Sequence, residues 1–251
     1  MKKILSVVIA IFLFITNTGI CFAAEEKGKL STFEEEVGKK DAAPQTSSNI
    51  SGADIAVQSF IDILFQFFMM GLMQTTGESF SEMHKNLKKE WSPALPTIRL
   101  EPSYQYVAKN LSAFSGKLEA GYLIFGVDGE YSRYFEKAPN NSLNVIDGHF
   151  MLRSLFTNYF GVNLALGVRQ VRGGQKYTGF DFGFPFYIYF SKYFFADVLP
   201  YMTVVSGKNM YDIGGGLSGK YKLIGARLGY RAFFVGNEKL HGPRIGVFLQ
   251  W

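Results

Sequence analysis

The chain of 251 residues has one cysteine, Cys21, and only a small excess of basic over acidic side chains. The formal net charge of +5 is scattered along the sequence, which argues against a nucleic-acid partner. Beyond the N-terminal segment, no apolar run reaches the length of about 20 residues that a membrane helix needs. Neither His84 nor His241 has a partner at metal-ligand spacing, so we expect no metal and no cofactor.

The first residues have the pattern of an export signal. Lys2 and Lys3 precede an apolar core, and Cys21-Phe22-Ala23 is a small-x-small cleavage site. We therefore predict a signal peptide over residues 1–23, whose removal leaves a mature chain without thiols, as an oxidising compartment favours. A lipoprotein anchored through Cys21 is the alternative, but Ile20 stands where that signal needs a small residue.

Two segments precede the strands. Residues 24–50 are polar and charged, with too little apolar surface to fold alone, and predict a flexible periplasmic leader. Residues 51–92 predict an amphipathic helix and a linker. Between positions 53 and 73 most side chains are apolar, and the polar ones recur every fourth residue, in one narrow stripe. We expect this helix to lie on the membrane surface, on the barrel or on a partner protein.

From position 97 the period changes to two. Two alternating sets define the first strand: Ile98, Leu100, Tyr104 and Tyr106 against Arg99, Glu101, Ser103 and Gln105. Similar segments continue to the end of the chain, and aromatic residues make up 16% of the sequence. Alternation with one lipid-facing side is typical of membrane strands. We therefore predict an all-β fold, an antiparallel transmembrane barrel of about ten strands over residues 97–251, with about eight possible. A soluble β-sandwich is the alternative.

The C-terminal strand carries a family resemblance. Its apolar face ends on the last residue and consists of Ile245, Val247, Leu249 and Trp251. This ending resembles the C-terminal assembly signal of bacterial outer-membrane β-barrel proteins, which typically ends in Phe or Trp. The resemblance implies a location in the outer membrane, assembly by the barrel assembly machinery, and contact with outer-membrane lipid and lipopolysaccharide.

The inward positions of the predicted strands carry equal numbers of basic and acidic side chains. The basic ones are Arg99, Lys117, Arg153, Arg169, Lys220, Arg227, Arg231 and Arg244. The acidic ones are Glu101, Glu119, Asp128, Glu130, Asp147, Asp181, Asp197 and Asp212. Side chains fill the interior of small barrels, and buried charges need partners. We therefore expect a closed, charged lumen with a structural or lipid-interacting role; a narrow passive channel is an alternative.

A second alternative is an enzyme. If the third and fourth strands form a hairpin across residues 137–141, Ser132 lies near Asp147 and Glu130 near His149. A Ser, a His and a carboxylate could supply an activated nucleophile, as in outer-membrane enzymes that acylate or deacylate lipid A. The close His-x-Ser pairing of lipid A deacylases is missing, however. We therefore lean against an enzyme.

Two prolines indicate a weak place in the wall. Pro185 and Pro200 lie almost equidistant from the turn at residues 191–192, and they should be nearly level in a hairpin. Proline cannot donate to the ladder, so either β-bulges or a lateral opening for an apolar ligand is expected there. Similar walls are known in outer-membrane palmitoyltransferases, and this resemblance favours a lipid ligand.

Overall fold

The structure, a computed structural model, describes residues 28–39, 66, 69, 97–122, 124–137, 139–157, 160–191 and 193–251. The predicted signal peptide and most of the predicted helix 53–73 lie outside the described residues; Gln66 and Met69, which are described, are helical. Within the described residues, no helix is both long and apolar enough to cross a membrane.

Besides the helical residues Gln66 and Met69, the described chain forms a short helix, α1 (Lys29–Gly38), and a sheet. The strands are β1 (Thr97–Ala108), β2 (Leu111–Tyr122), β3 (Phe125–Lys137), β4 (Asn140–Thr157), β5 (Phe160–Arg172), β6 (Lys176–Gly183), β7 (Phe186–Tyr189), β8 (Phe194–Val205), β9 (Lys208–Tyr221), β10 (Ile224–Val235) and β11 (Glu238–Gln250).

The sheet closes into a barrel. Every strand pairs antiparallel with its neighbour, and β11 pairs with β1. Because β6 and β7 both pair with β5 and β8, they are two parts of one wall strand. The barrel therefore has ten strands, and the predicted all-β antiparallel barrel of about ten strands is confirmed. The last residue completes the closure, since the N–H of Trp251 donates to the carbonyl of Ile98 at 3.0 Å.

The alternation in the sequence is the alternation between the two faces of the wall. In β11, Ile245 and Val247 are 58% and 57% exposed on the outer face, whereas Arg244 between outer-facing neighbours is 7% exposed. In the turn between β8 and β9, Ser206 and Gly207 have φ of 51° and 86°, and a two-residue hairpin turn requires such positive values. Apolar side chains thus face outward along most of the wall, and the charged ones face the lumen.

The two ends of the barrel differ. The terminal end holds Trp251 and the start of β1. The opposite end, here called the helix end, holds α1 and the turns after β1, β3, β5, β8 and β10. The sequence predicts a flexible leader over residues 24–50, whereas the structure shows a packed helix at Lys29–Gly38 within that range. Leu30, Phe33 and Val37 lie on one face of α1, and all three are fully buried.

The sixth wall strand is interrupted at Phe184 and Pro185. The register is the same on both sides, with Gly183 opposite Tyr201 and Phe186 opposite Val198. Pro185 is therefore level with Leu199, one residue from Pro200. An unchanged register means that no residue is inserted, so the expected β-bulges are absent from this part of the described wall.

Candidate functional site

The barrel interior holds three layers of side chains. At the terminal end is a mixed layer of ion pairs and aromatic rings. The middle, here called the charged layer, contains Lys117, Asp128, Glu130, Asp147, His149, Arg169, Asp181, Asp212, Arg231 and Arg244. At the helix end is the apolar layer, formed by Leu111, Ala113, Tyr134, Leu143, Val145, Val171, Val205, Met210, Phe233, Val235 and Leu240.

Arg169 is the centre of the charged layer. Its guanidinium lies 3.0 Å from the carboxylates of Asp181 and Asp212 and 3.5 Å from that of Asp147, and the residue is 1% exposed. The N–H groups of its Nε and Nη1 are not aligned with these oxygens as a hydrogen bond requires, so the contacts are ion pairs. One buried cation thus offsets the repulsion among three carboxylates.

Arg231 and Arg244 extend this network across the lumen. Arg231 donates to Asp212 at 2.6 Å and 2.9 Å and to Glu130 at 2.5 Å. The guanidinium of Arg244 lies 3.0 Å from the same oxygen of Glu130. Because β3, β9, β10 and β11 contribute these four side chains, the network ties distant parts of the wall together.

His149 is held between two carboxylates. Its Nδ1 lies 2.7 Å from Asp128 and its Nε2 lies 2.9 Å from Asp181, and the ring stacks on Tyr201 with centroids 4.8 Å apart. The ring fits because the neighbouring strand has Gly167, where a Cβ would lie 2.7 Å from His149 Cδ2. With both nitrogens bonded to carboxylates, this histidine is a structural link in the network.

The terminal layer repeats the pairing with aromatic walls. Arg227 binds Asp197 and Glu101, and Glu101 also accepts from Arg99 at 2.5 Å. The Arg99 guanidinium lies 4.2 Å from the ring centroid of Phe248. Glu119, which is level with Arg99 on the neighbouring strand, accepts from Arg153 at 2.7 Å. The aromatic side chains that complete this layer are Tyr187, Tyr189, Phe195 and Phe248.

The predicted lumen residues therefore come together. Arg99, Glu101, Glu119, Asp128, Arg153, Arg169, Asp181, Arg227 and Arg231 all have exposures of 9% or less. Lys220 is only half-buried. The cavity among Lys117, Asp147 and Arg231 measures about 20 Å³. That volume accommodates a water molecule and little else.

The weak catalytic candidates do not form a triad. The register pairs Ser132 with Val145, Glu130 with Asp147 and Asp128 with His149, two residues away from the predicted alignment. The reason is a tighter turn: β3 continues to Lys137 and β4 begins at Asn140. Ser132 hydrogen-bonds with Ser115 at 2.8 Å and Glu130 at 3.0 Å, whereas His149 binds carboxylates. The serine thus has no general base of the expected kind.

The apolar layer is filled by α1. Leu30, Phe33 and Val37 pack into it, and the rings of Phe33 and Phe233 lie 5.2 Å apart. The sequence pattern singled out the charged inward residues, and the apolar layer was not predicted. The spacing of Leu30, Phe33 and Val37, at i, i+3 and i+7, was the available signal for a helix with one apolar face.

Polar contacts hold α1 at the rim of the barrel. The carboxylate of Glu136 accepts hydrogen bonds from the first two helical amides, those of Lys29 and Leu30, at 3.0 Å and 3.2 Å. A carboxylate there satisfies unpaired donors and complements the helix dipole. Farther along the helix, the carboxylate of Glu34 accepts a hydrogen bond from the backbone amide of Gln175 at 2.7 Å. The side chain of Asn141 donates to the hydroxyl of Ser31 at 2.9 Å.

The last turn of α1 is tied to the wall by an ion pair. Glu36 lies 2.7 Å from Lys208 and 2.8 Å from Lys39. The hydrogen bond from Lys208, followed by the one from Lys39, lowers the pKa of Glu36 below its ordinary value of 4.5. The ionised carboxylate therefore stabilises the docked helix.

The outer face near Pro185 carries its own apolar cluster. Val162 and Phe184 are buried there, and Met69 packs on them with Phe182 and Phe186. Pro200 has no N–H, so it cannot donate the ladder hydrogen bond that another residue at this position would donate. The carbonyl of Pro185 accepts a hydrogen bond from the backbone amide of Asn163 at 2.8 Å. The lateral opening at Pro185 and Pro200 stays a prediction.

A comparison of the chain with protein-family models and with curated proteins finds no match.

Proposed function

We propose that this protein is an outer-membrane β-barrel with a closed, charged lumen, and that its role is structural or lipid-interacting. One observation carries the proposal: large apolar side chains are exposed on the outer face of most wall strands. Examples are Phe114 on β2 at 60%, Val168 on β5 at 59%, and Leu217 and Leu228, which pair across β9 and β10, at 60% and 66%. A soluble protein rarely exposes an apolar patch of more than a few hundred Å². A lipid environment removes that cost.

Aromatic residues near both ends of the wall support the same proposal. Exposed rings at the terminal end belong to Tyr122, Phe125, Phe194, Tyr221 and Trp251. Tyr106 is exposed toward the helix end, near the last residue of β1. Aromatic girdles at the two interfaces are typical of membrane barrels. Strands of about 9–11 residues suffice to cross a bilayer, and most wall strands here are longer.

The interior argues against conduction as the function. Salt-bridged side chains occupy the middle of the lumen, and α1 fills the helix end. Ten strands are also fewer than the sixteen or more at which open aqueous channels occur. The barrel is therefore a closed body, and its function lies in the contact of its outer face with lipid.

Replacing Trp251 tests the proposal. Trp251→Asp should abolish recovery of heat-modifiable protein from the outer membrane, because the terminal residue pairs with Ile98 and its ring is exposed on the apolar face. Trp251→Phe is the matched control and should assemble normally. Normal outer-membrane recovery of the Asp variant would contradict the proposal, as would recovery of the unaltered protein in a soluble fraction.

A further inference from the structure

We infer that the apolar layer is a binding site for a single-chain anionic amphiphile, of the class of long-chain fatty acids, and that α1 occupies it as an internal competitor. This inference goes beyond the proposed membrane role. It can be tested on refolded protein, and the test does not depend on where the protein is located in the cell. The starting point is the composition of the layer. Lumens of membrane barrels are ordinarily polar, whereas this one turns apolar toward the helix end. With α1 withdrawn, those side chains would line an apolar chamber.

The helix itself has the chemistry of the proposed ligand. One face carries Leu30, Phe33 and Val37, which together hold about as many carbon atoms as a long acyl chain. The sequence Glu34-Glu35-Glu36 places carboxylates over the rim. An apolar body below and carboxylates above is the arrangement of a fatty acid entering the chamber chain first.

The rim supplies groups that bind a carboxylate. Gln175 donates its amide to Glu34, and Lys208 pairs with Glu36. Basic residues also outnumber acidic ones in and beside the turns at this end. The basic ones are Lys109, Lys137, Arg172, Lys176, Lys208 and Lys239; the acidic ones are Glu136 and Glu238. Once the glutamates of α1 leave, the backbone amide of Gln175 loses its contact to Glu34 and the ammonium of Lys208 loses its contact to Glu36, and a ligand carboxylate can replace these contacts.

The helix is also built to leave without unfolding the wall. It has 10 residues, which is too short for an isolated helix to be stable in water. Its polar anchors are side-chain contacts to separate turns rather than ladder hydrogen bonds of the sheet. The barrel closes through β1 and β11 independently of α1. Release of α1 therefore opens the chamber, while the charged layer beneath it keeps the lumen closed.

A reversible cross-link tests the inference. Ser31→Cys and Asn141→Cys, in a Cys21→Ser background, replace two side chains that hydrogen-bond at 2.9 Å. The protein is refolded in amphipol and illuminated with palmitic acid that carries a diazirine, and mass spectrometry locates the labelled peptides. In the reduced state the label should reach Met210 and Phe233 in the chamber; in the oxidised state chamber labelling should disappear. Equal chamber labelling in both states, or labelling of the outer face alone, overturns the inference.

Two further variants sharpen the test. Phe33→Asp should raise chamber labelling about tenfold, because the fraction of molecules with an open chamber sets the apparent affinity. In that background, Lys208→Met should reduce labelling by the palmitic acid probe and leave labelling by the matching diazirine hexadecanol unchanged. If Lys208 served only to hold α1, its replacement would raise labelling by both probes, and the anionic specificity would be overturned. Heat-modifiable migration verifies that each variant is folded.

Discussion

The charged layer and the apolar layer lie in the same lumen, yet they are stabilised in opposite ways. The charged layer is complete within the wall: Arg169, Arg231 and their carboxylates all come from strands. The apolar layer is complete only when α1 adds Leu30, Phe33 and Val37. A network of paired charges can satisfy itself, whereas an apolar surface needs something to exclude water from it. The apolar layer therefore depends on a segment outside the wall, and the charged layer does not.

The charged layer should be the more sensitive to a single replacement. Arg169→Met leaves Asp147, Asp181 and Asp212 without their shared cation, and we expect the free energy of unfolding to fall by about 3–5 kcal/mol. Urea unfolding of protein refolded in lipid vesicles measures this change. The matched control is Arg172→Met, an exposed arginine on the same strand, which should change stability by less than about 0.5 kcal/mol. Similar losses in the two variants would contradict the central role of Arg169.

The apolar layer should respond locally. Phe33→Ala removes a fully buried ring and should weaken docking of α1 by about 3 kcal/mol, near the low end for such replacements because only one face of the helix is buried. The reaction rate of a cysteine at position 37 with a maleimide, in a Cys21→Ser background, reports the opening of α1. Glu35→Ala on the exposed face of the helix is the control and should leave that rate nearly unchanged. A global loss of barrel stability with no change in the rate would show that α1 is not a separate unit.

The smallest expected effect is a pH dependence at the last turn of α1. Because the pKa of Glu36 in the docked helix lies below its ordinary value of 4.5, its contribution is fully present above about that pH. The contribution is lost as the pH falls through the lowered pKa. The cysteine at position 37 reacts with maleimide too slowly at acidic pH, because the thiolate is the reactive form. Hydrogen exchange of residues 28–39 is therefore the measurement. Glu36→Gln should remove the response, which is worth at most about 0.5 kcal/mol for a partly exposed pair.

The strands and the lumen charges were accessible from sequence because both follow the period of two. Arg99 and Glu101, for instance, alternate with Ile98 and Leu100, and alternation by itself assigns opposite faces. The hairpin register was less accessible, since the length of the turn before Asn140 decides it. A difference of two residues there keeps each side chain on its face but changes every neighbour.

The helix α1 was harder to predict because its stability comes from the barrel. Residues 29–38 contain many charged side chains, and only Leu30, Phe33 and Val37 give them an apolar face. That face has no partner nearby in the sequence, because the apolar layer begins at Leu111. Long-range packing of this kind overrides the local composition that predicts a flexible leader.

Hydrogen exchange of the unaltered protein and of the Phe33→Asp variant, both refolded, tests the contrast between the layers most directly. We predict faster exchange in residues 28–39 and at the adjoining ends of β3, β4 and β10. The segments around Asp147 and Arg169, in the charged layer, should keep their protection. Faster exchange throughout the barrel would contradict the account, because it would mean that the charged layer depends on α1 as well.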